Sequence, residues 1–413
     1  MAALQPVRGT RDLLPDDSWK HNHVVGSARA LSANYGYGEI STPIFEQTEV
    51  FARTLGDVSD IVTKEMYTFT DKGGDQITLR PENTASVARA FISGKMNDQL
   101  PLKYFYNGPM FRYERPQKGR QRQFHQIGVE LFGVADPVGD VEVIALGAQV
   151  LEKLGVLQWC TLELNTLGDT ESRDAYRAAL VAYFEGFQDK LSDDSKERLH
   201  RNPLRILDSK DKGDQVIVAN APRFADYLTP AAQDFFAQVK QGLSDIGIAF
   251  TLNERLVRGL DYYCHTAFEF TTDRLGSQSA VLAGGRYDGL IGQMGGPVTP
   301  GVGWAAGVER LVMLAEEWPT SPRPVAFIPM GEAADRELRQ IAFKLRAGGI
   351  AIEMGYSGNL KRRMNRANKA NARLAVIVGD DELAESQATI RDMDSGEQQT
   401  VALADLAGHL AGS

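Results

Sequence analysis

The stretch from Phe111 to Gly133, FRYERPQKGRQRQFHQIGVELFG, places five cations (Arg112, Arg115, Lys118, Arg120, Arg122) against one acid, Glu114, between Arg112 and Arg122. Like charges packed this closely repel, so in a chain of formal net charge -9 such a loop is held most easily when an anion sits among them. The flanking residues narrow the fold further. From Gln123 to Phe132 the side chains alternate with the period of a strand, Ile127, Val129 and Leu131 on one face and Phe124, Gln126, Gly128 and Glu130 on the other. By the same parity Arg112 and Glu114 share a face of the preceding strand. Paired antiparallel with these faces aligned, the two strands make a floor carrying both signs of charge, and Gly128 leaves room on it for a small ligand. A solvated hairpin with a charge-guarded edge is the alternative reading.

At 413 residues the chain exceeds one ordinary core, and two or three domains are expected. The proline run WPTSPRP at 318–324 marks the clearest boundary, because proline disfavours helix at itself and at the residue before it. Beyond it, strand and helix patterns alternate through 324–413, as in a small α/β domain. Within the preceding 1–320, the segment 168–250 is charged, helically periodic and low in glycine, and reads as a helical insertion between strand-rich regions. The opening MAALQPVRGTRDLLPDD lacks the apolar run of a secretory signal, and the long uncharged run ending at Val308 is broken by glycines and prolines. No membrane partner is expected, and a cytoplasmic location is. Two cysteines, Cys160 and Cys264, are too few for a disulfide framework or a thiolate metal site.

Three further glycine-rich segments carry buried-looking arginines. LVRGLDYYCHTAFEF embeds Arg258 and Asp261 among apolar residues, a poor place for charges without partners. LAGGRYDGL reads as a turn of small residues allowing close backbone approach. GVGWAAGVERLVML runs from a glycine-rich strand into an apolar helix, with Arg310 near its start. Any one of these arginines could serve a structural ion pair, but together with the cationic loop they point to a polyphosphate. Neither GxxxxGK[ST] nor a strand–helix GxGxxG occurs, so the phosphate site would be built from arginine forks. Cys264 beside His265 invites a nucleophile, but adjacent strand residues face opposite ways, and the pair is read as packing neighbours. His21 and His23 are read as exposed polar groups, and no protein-ligated metal is expected. The stretch LKRRMNRANKANAR has six cations and no acid, a solvated helix face or a contact to a phosphate backbone.

These segments also carry a resemblance. FRYERPQKGRQRQFHQIGVELFG resembles the second signature motif of class II aminoacyl-tRNA synthetases, GVGWAAGVERL the third, and YGYGEISTPIFEQTEVFAR, with Pro43, the dimer-forming first. LVRGLDYY and AGGRYDGL are similar to the two segments that mark the histidyl-tRNA synthetase family, and RGTRDLLPDD matches that family's opening. The resemblance implies an α+β catalytic domain built on an antiparallel sheet flanked by helices, with a helical insertion and a C-terminal α/β anticodon-binding domain. It implies a homodimer acting on L-histidine, ATP and tRNA(His), with Mg²⁺ held mainly through the ATP phosphates. Arg112 would hold the α-phosphate and the substrate carboxylate, and Arg258 would stabilise the α-phosphate as charge develops; these two are the catalytic residues implied. Glu114 would contact the adenine, Phe124 would stack on it, Arg120 would close over ATP, and Arg310 would take the γ-phosphate. Glu82, Asn83 and Thr84 of LRPENTA would hold the histidine amino group with Gln126, while Glu130 and Tyr263, assisted by Tyr262, would read the imidazole. Two alternatives stay open: a histidine-binding regulatory paralogue that charges no tRNA, and a class II synthetase for another amino acid.

Overall fold

The computed structural model describes residues 3–55, 64–207, 209–256, 262–276 and 279–411, and the chain divides into two compact units between Trp318 and Pro319. The first unit holds strands β1 (Gly38–Glu39), β2 (Phe45–Gln47), β3 (Tyr67–Thr70), β4 (Gln76–Leu79), β5 (Leu102–Phe111), β6 (Gln123–Phe132), β7 (Thr161–Thr166), β8 (Thr251–Leu252), β9 (Cys264–Thr271), β10 (Ala280–Arg286) and β11 (Gly301–Gly307). Eight of them form one sheet in the order β1-β5-β6-β11-β10-β9-β7-β8; β2, β4 and β3 form a small second sheet. All neighbours between β5 and β7 in that order run antiparallel, and the short edge strands β1 and β8 pair parallel.

The alternation read from Gln123–Phe132 decides which residues meet the core. Ile127, Val129 and Leu131 of β6 join the main apolar cluster with the helix Val138–Lys153, which covers that face. The opposite face, with Tyr106 and Met110 of β5, packs against a second cluster containing the helix Thr84–Ser93 and the tyrosines 262, 263 and 287. Two faces with different cores hold the β5–β6 pair rigidly by its middle, and their far ends lead into the cationic loop. That pair is antiparallel as expected, with Met110 opposite Phe124.

Two local readings change. AGGR lies in β10 and is not a turn; Gly284 and Gly285 permit close strand approach, since a Cβ would meet the Phe268 ring at 2.6 Å in one case and the Thr266 carbonyl at 2.5 Å in the other. The space opened by Gly128 is filled by the Tyr106 ring from β5, whose Cζ would lie under van der Waals contact from any Cβ there, so it is not ligand room.

Residues 170–245 contribute four helices, each begun by an oxygen side chain accepting backbone N–H groups: Asp169 from Ser172, Ser192 from Ser195, Asp211 from Gly213 and Asp214, Thr229 from Ala232. Tyr176, Leu180, Phe184, Leu199 and Ile217 give this region its own core, while Val239 and Leu243 of the last helix, Pro230–Asp245, join the main one.

The second unit is a sheet of β12 (Val325–Pro329), β13 (Ile352–Met354), β14 (Leu374–Val378), β15 (Gln387–Asp392) and β16 (Gln398–Ala402), ordered β13-β12-β14-β15-β16. Val325 and Phe327 face the helix Glu332–Ala347, and Ala326 and Ile328 face the helix Leu360–Lys369. The first of these helices stops at the expected glycine pair, with Gly349 at φ +86°. No helix among the described residues is long and apolar enough to cross a membrane.

Candidate active site

A cleft of about 380 Å³ opens over the β6 floor and is bounded by the cationic loop, β9, β10, β11 and the start of the helix Val308–Leu314. It is lined by Glu82, Thr84, Arg112, Glu114, Arg120, Phe124, Gln126, Tyr262, Tyr263 and Arg310, which the chain carries in four separate segments. The first reason for their meeting is the β5–β6 pair, which delivers Arg112, Phe124 and Gln126 from one hairpin. The second is the β11 strand alongside β6, which runs directly into the helix bearing Arg310.

The cations are held by main chain. Arg112 donates from Nε to the Pro81 carbonyl at 2.9 Å, which sets its guanidinium 5.3 Å from the Phe124 ring centroid. Arg310 donates to the Gly119 carbonyl at 3.2 Å and to the Ala280 carbonyl at 2.7 Å, tying the loop tip to β10. Arg120 pairs with Glu114 at 3.3 Å. Burial, then the proximity of Arg120 and Arg112, lowers the proton affinity of Arg310 from its ordinary value. Arginine stays charged nonetheless, so the three guanidiniums repel, and an anion between them relieves that repulsion.

The other side of the site is a buried polar recess. Glu82 caps the helix Thr84–Ser93, accepting from the backbone N–H of Thr84 at 2.6 Å and of Ala85 at 2.9 Å. The Thr84 hydroxyl donates at 2.7 Å to Glu130, whose other oxygen accepts from the Tyr287 hydroxyl. Tyr262, Tyr263 and Tyr287 lie ring against ring, with centroids 4.6 to 6.1 Å apart. Gly303 is what lets Glu130 fit: a Cβ there would strike its carboxylate. The Gln126 Oε1 is buried without a hydrogen-bond partner, an acceptor aimed at a donor from a ligand.

The family described as "Histidyl-tRNA synthetase" matches residues 9–311, and one described as "Anticodon binding domain" matches 324–412. A histidine--tRNA ligase of Rhodospirillum rubrum is 62% identical over 412 residues, covering 100% of this chain and 99% of that protein. The chain belongs to the histidyl-tRNA synthetase family. A second relative of the same name, from Gluconacetobacter diazotrophicus, is 55% identical over the same shares. The crystal structure of apo S. aureus histidyl-tRNA synthetase, 37% identical, superposes with a TM-score of 0.86 over 99% of this chain and 100% of that one.

Within this family member, two residues named from sequence stand apart from the cleft lining. Glu130 is on the same face of β6 as Gln126 but covered, 1% exposed, its carboxylate bonded to the Thr84 and Tyr287 hydroxyls. Asn83 is turned away from it, its Oδ1 accepting from Thr42 and from Arg80. Arg258 lies outside the described residues, as does Asp261. Arg286 of AGGRYDGL is structural: fully buried, it is paired with the equally buried Asp140 and donates to the Val134 carbonyl at 2.9 Å. Residues the sequence reading passed over are Tyr287, Glu269, Ser279 and Glu309. Tyr287 was within sight, since AGGRYDGL contains it, but nothing in the spacing aims its hydroxyl at Glu130.

Burial dominates the titration of the recess. It pushes the Glu130 carboxyl up to about 8, against the opposing pull of the Tyr287 and Thr84 hydroxyls, and nearby Glu82 adds to the rise. Glu82 is raised by burial too, with the Ala85 and Thr84 amides opposing. Burial likewise pushes the Cys264 thiol up to about 12, far from a thiolate nucleophile, and sets the His265 ring 4.6 Å from Phe235. His21, expected to be exposed, is 5% exposed, because its helix, Pro15–Asn34, lays that face on the sheet unit.

Proposed function

We propose that this chain is a histidine--tRNA ligase that activates L-histidine with ATP to histidyl-adenylate, releasing pyrophosphate, and then transfers histidine to the 3′ end of tRNA(His). The observation that carries the reading is a single cleft lined both by the recess of Glu82, Thr84, Gln126, Tyr262 and Tyr263 and by the guanidiniums of Arg112, Arg120 and Arg310. In the first step a histidine carboxylate oxygen attacks the α-phosphorus, the new acyl–phosphate bond forms, and the bond to pyrophosphate breaks. The nucleophile is already an anion, so no general base is required. The task is to bring two anions together and to neutralise charge as it develops. Arg112 bridges the histidine carboxylate and the α-phosphate, Arg310 takes the γ-phosphate, Arg120 closes from the loop, and Phe124 stacks on the adenine beside Glu114. Arg258 stabilises the α-phosphate. Glu82 and the open Oε1 of Gln126 accept from the α-ammonium group. Glu130, with Tyr263 and Tyr262, reads the imidazole, and another side chain in its place leaves buried polar groups unpaired.

Mg²⁺ takes hard oxygen ligands, and the cleft lining supplies carboxylates, Glu269 among them, and no thiolate, so its residues fit an ion that would be held mainly through the ATP phosphates. When bound, Mg²⁺ offsets charge on the departing pyrophosphate. In the second step a hydroxyl of the tRNA's terminal nucleotide attacks the adenylate carbonyl, an ester forms, and AMP leaves. Residues 1–320 form the catalytic domain, 168–250 an insertion against the acceptor stem, and 324–413 the part that binds the anticodon stem and loop. The protein acts as a cytoplasmic homodimer; exposed Ile44 and Phe45, in the segment resembling the dimer-forming motif, support that assembly. The test is ATP–pyrophosphate exchange with each of the twenty amino acids. Exchange with histidine alone is expected; exchange with a different amino acid, or with none, overturns the reading.

A further inference from the structure

In the wall of the nucleotide cleft lies a group of side chains with no part in the chemistry above. His21 comes from the helix Pro15–Asn34, His125 from β6, and Glu309 from the helix Val308–Leu314. One ring nitrogen from each histidine and one carboxylate oxygen lie within 4.8 Å of one another. The two rings meet edge to face, centroids 5.5 Å apart. Glu309 is itself held: its oxygens accept from the His125 backbone N–H at 3.0 Å and face His125 Nδ1 at 2.9 Å.

His21 is the informative member. It is 5% exposed, and its Nε2 is buried with no hydrogen-bond partner. A buried imidazole nitrogen left unpaired costs free energy, and such groups call for a ligand, an ion or a water to complete them. Here the other two groups brought to it are a second imidazole and a carboxylate, a nitrogen, nitrogen and oxygen set that suits Zn²⁺ and its neighbours in the first transition row better than Mg²⁺ or Ca²⁺. The three donors come from three elements distant in sequence, so the set is a product of the fold and not of a local turn. Drawing them together needs a movement of about an ångström, since bonds of about 2.0–2.1 Å set donors nearer to one another than 4.8 Å.

We propose that His21, His125 and Glu309 form a site for one divalent transition-metal ion of the Zn²⁺ type in the wall of the nucleotide cleft. Occupancy fastens the N-terminal helix to β6 and to the helix that carries Arg310, and leaves a fourth coordination position for water or a small anion. Because the ion binds the folded chain and the three ligands are scattered in the unfolded one, it raises the melting temperature.

The test reads metal binding, not activity, and so stands apart from the proposed ligase reaction. The full chain, stripped with chelator, is titrated with Co²⁺, followed by its visible d–d absorption, and with Zn²⁺, followed by calorimetry and thermal melting. One ion per chain and a higher Tm are expected. His21→Phe, which fills the same volume, and His21→Gln, which keeps a polar head, lose both signals, whereas His23→Gln keeps them. Absence of stoichiometric binding by the unaltered chain, or undiminished binding by both His21 variants, overturns the proposal.

Discussion

Glu130→Gln separates what the recess does for binding from what it costs in stability. The Glu130 carboxyl titrates near 4.5 when solvated and is pushed up to about 8 by burial in the ligand-free fold. Between those values the folded chain keeps a proton that the unfolded chain has released, so the unfolded state binds fewer protons and stability falls as pH rises. Below 4.5 both states are protonated and nothing is lost; above 8 both are ionised and the loss is complete. The limiting slope is about 1.4 kcal/mol per pH unit, and a window of roughly 3.5 units sets a ceiling of about 5 kcal/mol on the loss. Glutamine stays neutral throughout and still accepts from Tyr287. Urea unfolding of both proteins without ligands, from pH 5 to 8.5, therefore gives curves that diverge, the variant gaining on the unaltered chain by a few kcal/mol toward pH 8. Titrating groups remote from Glu130 cancel in the difference. The same variant binds histidine roughly 10- to 100-fold more weakly, the value of a hydrogen bond to a charged group. Parallel stability profiles across the range would refute the argument.

Arg258→Ala is expected to nearly abolish histidine-dependent pyrophosphate exchange while folding and histidine binding persist, as checked by circular dichroism and calorimetry; unchanged exchange removes Arg258 from the mechanism. Arg310→Lys keeps the charge but not the fork that joins the Gly119 and Ala280 carbonyls, and should lower kcat/KM for ATP by roughly 10- to 100-fold in steady-state assays. In the C-terminal unit Arg363 donates to the Gly358 carbonyl at 2.7 Å and Arg373 to the Leu410 carbonyl at 2.7 Å, whereas Lys361, Arg362 and Lys369 are exposed on the helix Leu360–Lys369. Neutralising Lys361 and Arg362 should raise the tRNA KM and reduce its salt dependence by about one counterion per lost contact; an unaltered salt slope would return this face to the solvated-helix reading.

The β5–β6 hairpin was legible because strand alternation has a period of two and charge clustering needs no tertiary information. The same parity put Gln126 and Glu130 on one face and Ile127 and Val129 on the other, as the structure has them. The boundary at WPTSPRP rests on local backbone chemistry, and the chain divides within it. What the sequence concealed depends on neighbours distant in the chain. Arg286 looked like another phosphate ligand until Asp140, 146 positions away, claimed it. Gly128 looked like ligand room because its partner on β5, Tyr106, is chosen by strand register. His21 looked exposed beside polar residues, since its helix has only a weak apolar stripe to show which side is covered.

In the proposed reaction one cleft holds an imidazole beside Glu130 and a triphosphate among Arg112, Arg120 and Arg310. The most direct measurement is a crystal structure with a non-hydrolysable histidyl-adenylate analogue. The imidazole is expected within hydrogen-bond distance of Glu130 and Tyr263, and the phosphate or its surrogate against Arg112. An analogue seated elsewhere, or bound with its imidazole facing solvent, would contradict it.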